Sequence, residues 1–129
     1  MKVANLMSLR TFSLRSNDLT PRAMEYLKDA FTGGCFPALE VLDLRNNEFG
    51  DEGLDIFIRM FMLKHFEFLK EINLGGNNIK DAGFSKIARM FASLQSENAP
   101  YLVSLGLQNN AISGEMKRHY SPLPPFITL

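Results

Sequence analysis

The stretch LEVLDLRNNEFGDEG, from Leu39 to Gly53, decides the fold because its pattern of leucines and one asparagine occurs four times in the chain. Written as L-x-x-L-x-L-x-x-N-x-Φ, where Φ is apolar, the pattern begins at Leu9, Leu39, Leu69 and Leu102. Successive copies therefore start 30, 30 and 33 residues apart. A fixed period in this range is typical of stacked repeat architectures, in which each unit packs on its neighbours.

Each copy combines the signals of a short strand, a turn and a helix. Apolar and polar residues alternate after the leading leucine, which predicts a half-buried strand. Thr20 followed by Pro21 predicts a helix start in the first copy, and Asp51 and Asp81 are the expected caps in the next two. Apolar residues at matching offsets predict one buried stripe on each helix: Met24, Leu27, Ala30 and Phe31; Leu54, Phe57, Met60 and Phe61; and Phe84, Ile87, Met90 and Phe91.

The fourth copy keeps the strand pattern but is expected to lose its helix, because Pro122, Pro124 and Pro125 cannot lie inside one. Residues 1–114 are therefore predicted to form the repeat array, and residues 115–129 an irregular C-terminal tail or partial cap. The apolar residues of the tail either fold over the open end of the core or are disordered. Residues 93–100 are predicted to form a longer surface loop, which accounts for the wider last spacing.

The segment DLRNNEFGDEG, from Asp43 to Gly53, resembles the consensus of the ribonuclease-inhibitor type of leucine-rich repeat. The resemblance covers about residues 9–114. It implies an α/β fold, a right-handed leucine-rich-repeat solenoid shaped as a curved horseshoe segment, with a parallel sheet on the concave side and helices on the convex side.

Stacking also follows from the residues themselves, because one apolar strand face and one apolar helix stripe cannot be buried by a single unit. It would place Asn17, Asn47, Asn77 and Asn110 in a ladder whose side-chain amides hydrogen-bond to backbone groups of the turns. These asparagines are therefore predicted to be structural.

Composition argues against several classes of function. Fourteen basic residues balance fourteen acidic ones, so neither a nucleic acid nor an anionic membrane is an expected partner. No stretch is long and uncharged enough to cross a membrane, and the amino end does not resemble a signal peptide. Cys35 is the only cysteine, which excludes an internal disulfide and favours a cytoplasmic or otherwise intracellular setting.

No group of residues predicts catalysis, a cofactor or a metal site. His65 and His119 lie far apart and lack partners at zinc-ligand spacing. The glycines between Leu74 and Lys80 occupy repeat positions and do not form a phosphate-binding loop motif. Cys35 is expected to pack as a buried apolar side chain, since the sequence spacing places no histidine or basic residue near its thiol. We therefore expect a non-enzymatic protein without a cofactor.

The strand residues that alternate with the leucines should point to the concave side, where they form a mixed polar surface. This surface is either an ordinary solvated face or the contact surface for a partner protein. The predicted partner-binding residues are Arg15, Val41, Asp43, Arg45, Glu71, Asn73 and Gln108.

The second helix is unusually apolar at positions expected to point outward. Ile56 and Ile58, with Tyr26 on the first helix, predict a convex patch for a partner or for self-association. Burial under a neighbouring segment is the alternative. The open ends of a solenoid offer another route to self-association, unless the chain is a piece of a longer array or residues 1–7 and the tail act as caps.

The sequence thus predicts a scaffold that binds another, unidentified protein through its concave sheet. The family resemblance extends to the Ran GTPase-activating proteins, which makes a GTPase-regulating array the alternative. The third hypothesis is a structural fragment of a longer array that associates with itself.

Overall fold

The computed structural model describes residues 7–63, 66–93 and 101–129. Strands and short or medium helices alternate along these residues. They are β1 (Thr11–Ser13), α1 (Pro21–Thr32), β2 (Val41–Asp43), α2 (Gly50–Leu63), β3 (Glu71–Asn73), α3 (Asp81–Ser93), β4 (Ser104–Gly106), α4 (Gly114–His119) and β5 (Ile127–Thr128).

The strands form one parallel sheet in the order β1-β2-β3-β4-β5. Its register pairs equivalent repeat positions, so that Thr11, Val41, Glu71 and Ser104 lie in one row across the sheet. Because the repeat spacing sets the register, each side chain lies beside its counterpart in the next unit. The predicted α/β leucine-rich-repeat solenoid with a parallel sheet is confirmed.

The core lies between the sheet and the helices. The central strand residues Leu42, Ile72 and Leu105 are fully buried. The predicted helix stripes are buried as well, apart from Ala30, which is half-buried. Each unit therefore contributes one strand face and one helix stripe to a core that continues from unit to unit.

The predicted asparagine ladder is confirmed. The Oδ1 atom of Asn47 accepts hydrogen bonds from the backbone N–H groups of Asn17 and Leu19, at 2.8 and 3.2 Å. Its Nδ2 group donates to the carbonyls of Leu14 and Leu44, at 2.9 Å each. Equivalent bonds of the next two asparagines carry the ladder through Asn77 to Asn110.

The helices begin in different ways. Thr20 caps α1 as predicted, since its Oγ1 atom accepts a hydrogen bond from the Ala23 N–H at 3.1 Å. The prediction that Asp51 and Asp81 cap α2 and α3 is wrong, because both aspartates lie in the first helical turn.

These two aspartates instead bind the start of the next unit's helix region. The Oδ1 atom of Asp51 accepts a hydrogen bond from the Lys80 backbone N–H at 2.8 Å. Asp81 accepts two from Ser113, one from the backbone N–H and one from the hydroxyl, both at 2.7 Å. Each aspartate therefore links two consecutive units.

The fourth unit keeps a helix of six residues, so the prediction that it has none is wrong. Ser113 caps this helix by accepting a hydrogen bond from the Met116 N–H at 3.1 Å. The prolines lie beyond its last residue, where they limit its length without preventing its first turn.

The tail folds over the end of the core, the first of the two predicted alternatives. Ile127 is buried in β5, and the Phe126 ring lies 5.5 Å from that of Phe91, edge to face. The division of the chain at residue 114 stays a prediction. His65, most of the predicted loop at 93–100 and the proposed cap at residues 1–6 lie outside the described residues.

Candidate functional site

The outer surface of the sheet carries the side chains that alternate with the buried leucines. We call this surface the sheet face. It consists of Thr11, Ser13, Arg15, Val41, Asp43, Arg45, Glu71, Asn73, Gly75, Ser104, Gly106 and Gln108. All seven residues predicted to bind a partner lie on it, and the register places Val41 beside Glu71 and Asp43 beside Asn73.

Asp43 and Arg45 form a bidentate ion pair on this face. Arg45 donates from Nε to Asp43 Oδ1 at 2.9 Å and from Nη2 to Oδ2 at 2.7 Å. The Arg45 backbone N–H adds a third bond to Oδ1, at 3.1 Å. Paired bonds of this kind fix orientation as well as contributing energy. Since 41% of the Arg45 side chain is exposed against 11% for Asp43, the guanidinium is held in place and presented to solvent.

Each member of this ion pair stabilises the ionised form of the other. Hydrogen bonds from the Arg45 side chain lower the pKa of the Asp43 carboxyl, against the opposing effect of burial, and the positive charge of Arg15 lowers it further. The hydrogen bonds to Asp43 in turn raise the pKa of the Arg45 guanidinium. Both groups are therefore ionised at neutral pH.

A polar hollow of about 320 Å³ opens on the sheet face beside this pair. Its lining includes two arginine and four amide side chains, with no carboxylate among the lining residues. We call it the arginine hollow. It is lined by Arg15, Arg45, Asn46, Asn73, Gly75, Gln108 and Asn109.

Two glycines make room for the polar groups of the arginine hollow. A Cβ atom on Gly75 would lie 3.0 Å from the Gln108 carbonyl oxygen and 3.7 Å from Arg45 Cγ, so the arginine stem crosses above this glycine. A Cβ atom on Gly106 would lie 2.8 Å from Gln108 Oε1 and 3.0 Å from Asn73 Oδ1. The two amide groups therefore converge over Gly106.

Asn46 and Asn109 are lining residues that the sequence analysis missed. Both occupy the same repeat position and have left-handed backbones, with φ of 58° and 60°. Asparagine is enriched in this conformation. The sequence signal that could have identified them is the doublets Asn46-Asn47 and Asn109-Asn110. The second asparagine of each doublet belongs to the ladder, so the first one requires a separate explanation.

Comparison with known proteins supports the fold of the chain. The family model described as "Leucine Rich repeat" matches residues 37–55 and 67–88, in the second and third copies. The chain carries leucine-rich repeats. Sequence comparison with curated proteins gave no match.

A solved structure described as "Leiomodin-1 Actin-Binding Site 2 (ABS2)" is similar to this leucine-rich-repeat chain, with a TM-score of 0.71 and 16% sequence identity. The match covers 91% of this chain and 64% of that chain. This chain thus spans less than two thirds of the leiomodin-1 structure, and the likeness concerns the fold.

The predicted convex patch is not formed as expected. Tyr26 is exposed and Ile58 is half-buried, but Ile56 is only 4% exposed and belongs to the core. The reason is that α2 packs between α1 and α3, so positions on the sides of this helix are buried along with its inward stripe. The exposed Tyr26 therefore has no continuous apolar surface with Ile56.

The other residues considered for chemistry are scattered over the repeats. His119 packs edge to face against Tyr120, with ring centroids 4.9 Å apart, and Cys35 is a half-buried free thiol against the core. In the described part of the chain, no three His, Cys, Asp or Glu residues are grouped to hold a metal ion. Within the same residues, no helix is long and apolar enough to cross a membrane.

Proposed function

We propose that this chain is a non-enzymatic interaction scaffold that binds a protein partner through the sheet face. The observation that carries the proposal is the arginine hollow, where polar groups from four successive repeats converge on one surface. Repeat solenoids commonly use such extended faces for binding.

The arrangement of the sheet face favours recognition of a partner. Asp43 fixes the Arg45 guanidinium, and the hydrogen-bonded strands fix the spacing between neighbouring side chains. A surface organised before binding loses less conformational entropy when the partner arrives. The lining of the hollow consists of guanidinium, amide and backbone groups, which suit hydrogen bonding better than nucleophilic or acid–base chemistry.

The finer family assignment is also part of the proposal. Helices of 12, 14 and 13 residues follow the first three strands, which supports the ribonuclease-inhibitor-like type of repeat. An intracellular setting is supported by the single cysteine, Cys35. The similar leiomodin-1 structure is described as an actin-binding site, so actin is the first candidate partner to test.

The proposal is tested with the full chain as bait, first against purified actin and then against cell extract, followed by affinity measurement with each recovered partner. Arg45→Glu should weaken binding at least about tenfold, because it breaks the ion pair with Asp43 and reverses the charge at a contact that the bound partner would bury. Arg59→Glu on α2, whose side chain is 60% exposed, is the matched control and should change affinity little.

Gln108→Trp guards against a folding defect, because residue 108 is exposed and the larger, uncharged side chain fills the hollow without breaking the Asp43–Arg45 pair. It should also weaken binding while thermal unfolding stays near that of wild type. Equal losses in Arg45→Glu and Arg59→Glu, or normal binding by Gln108→Trp and Arg45→Glu, would show that the partner uses another surface.

The GTPase-regulating alternative and self-association stay predictions. Nucleotide hydrolysis by small GTPases, measured with and without the chain, tests the first. Sedimentation over a range of protein concentrations tests the second.

A further inference from the structure

We propose that the arginine hollow binds the carboxylate of an aspartate or glutamate side chain of the partner protein. The inference rests on the proposed function, and it names the chemical group that the partner presents at this place on the sheet face.

The arginine hollow has an excess of positive charge. Asp43 neutralises Arg45 through the bidentate pair. Among the described residues, no carboxylate forms an ion pair with Arg15, whose side chain is exposed. The hollow therefore retains about one unit of positive charge at neutral pH, which attracts a single anionic group.

The two arginines act at one place because their chain segments are held together. The backbone N–H of Leu14 donates to the Asp43 carbonyl at 2.9 Å, and that of Ser16 donates to the Arg45 carbonyl at 3.0 Å. Arg15 lies between these two bonds, beside Arg45, and both side chains line the hollow.

The remaining donors suit a carboxylate. Arg45 uses its Nε–H and one Nη2–H for Asp43, which leaves the Nη1 group and the second Nη2–H able to donate. Arg15 offers a planar guanidinium that matches the two oxygens of a carboxylate. The side-chain amides around the hollow supply further N–H donors to a group that only accepts.

The surroundings favour an isolated acidic side chain over a polyanion. Asp43 and the exposed Glu71 lie on the same face, and Glu48 is exposed at the turn that follows β2. These carboxylates would repel a chain of successive phosphates but leave room for one acidic residue between polar neighbours.

The test is a titration of the full, ¹⁵N-labelled chain with the acetylated, amidated peptide Gly-Gln-Glu-Gln-Gly, in which one glutamate lies between polar neighbours. Gly-Gln-Gln-Gln-Gly is the matched neutral peptide. The glutamate peptide should shift the side-chain Nε–H signals of Arg15 and Arg45 and the backbone signals of Gly75 and Gln108. The neutral peptide should leave them in place. Higher ionic strength should weaken the response to the glutamate peptide, because salt screens the attraction.

Arg15→Gln should weaken binding of the glutamate peptide about tenfold, as expected for the loss of a charged hydrogen-bonding partner. Arg22→Gln removes an exposed arginine from α1 and is the matched control, with affinity expected to stay at the wild-type value. Arg15→Gln leaves the Asp43–Arg45 pair intact, so its effect is not a folding defect.

Three results would overturn the inference. They are an absent or scattered response to the glutamate peptide, an equal response to the neutral peptide, and an equal loss of affinity in Arg15→Gln and Arg22→Gln. Inorganic phosphate is titrated in a further experiment. If it binds the hollow more tightly than the glutamate peptide does, the site is specific for a phosphate anion and the inference is wrong.

The inference and the proposed function fail separately. If Arg45→Glu and Gln108→Trp abolish partner binding while Arg15→Gln changes neither partner nor peptide binding, the sheet face is the interface but the hollow does not hold a carboxylate. If no substitution on the sheet face changes partner binding, the proposed function is wrong as well.

Discussion

At the scale of single residues, the asparagine ladder shows how one side chain stabilises two repeats at once. Asn77 Oδ1 accepts the Asn47 backbone N–H at 2.9 Å, while Asn77 Nδ2 donates to the carbonyl of Leu44 in the preceding unit and to that of Leu74 in its own. Asn77 is fully buried. Without Asn77, the Asn47 N–H would lose its acceptor, and the Leu44 and Leu74 carbonyls would each lose one of two side-chain amide donors.

Replacing Asn77 with alanine should therefore lower the free energy of unfolding by about 3 kcal/mol, because the buried Asn47 N–H loses its acceptor and two carbonyls lose a donor. Asn17→Ala is the matched control at the exposed end of the ladder, where the side chain donates to the Arg15 carbonyl at 3.1 Å. It should cost less than about 1 kcal/mol. Urea denaturation measures both values, and equal costs would contradict a ladder role that depends on burial.

The Asp43–Arg45 pair predicts a dependence of stability on pH. The Arg45 hydrogen bonds lower the pKa of Asp43 in the folded chain below its ordinary value of 3.8. The stabilisation is therefore fully present above pH 3.8 and is lost as the pH falls through the lower, folded pKa. Asp43→Asn should lose less stability than wild type over this acid range. Parallel pH-dependent curves for the two proteins in denaturant titrations would rule out this contribution.

At the scale of helices and strands, aspartates at equivalent positions connect one unit to the next. Asp51 binds the Lys80 backbone, and Asp81 binds Ser113, which itself caps α4. Sequence reasoning assigned both aspartates to the caps of their own helices, because aspartate near a helix start has the same local signature in either role. The difference depends on which backbone N–H is nearest, and that is set by the stacking of units.

Asp81→Ala should loosen α4 from α3, because it removes both acceptors of Ser113 while leaving the cap bond between Ser113 and Met116 in place. Amide hydrogen exchange should become faster at Ser113 and through α4. Glu115→Ala, an exposed change on the same helix, is the control and should leave the Ser113 exchange rate near wild type. Unchanged exchange in Asp81→Ala would show that the link contributes nothing to the docking of α4.

The elements themselves could be predicted from the sequence, but the arginine hollow could not. Strand register and helix stripes follow from a spacing that is repeated, so each copy supports the interpretation of the others. The hollow depends on Gly75 and Gly106, where an absent side chain lets groups from neighbouring strands converge. The burial of Ile56 likewise depends on the helices on either side of α2, which the pattern of one helix does not contain.

At the scale of the whole molecule, the tail closes a stack of repeats that would otherwise expose its core and a sheet edge. β5 pairs with β4, and the Leu105 and Leu107 backbone N–H groups donate to the Phe126 and Thr128 carbonyls, both at 2.8 Å. The Ser85 and Tyr120 hydroxyls add a hydrogen bond of 2.7 Å between α3 and the start of the tail.

If the tail stabilises this end, Ile127→Ala should lower the free energy of unfolding by about 2 kcal/mol, because it leaves a cavity beneath β5. Thr128→Ala, next to it but exposed, should stay within about 0.5 kcal/mol of wild type. Denaturant unfolding gives both values, and sedimentation should show more association in Ile127→Ala if loosening β5 uncovers the β4 edge. An Ile127→Ala protein as stable and as monomeric as Thr128→Ala would mean that the repeats close without the tail.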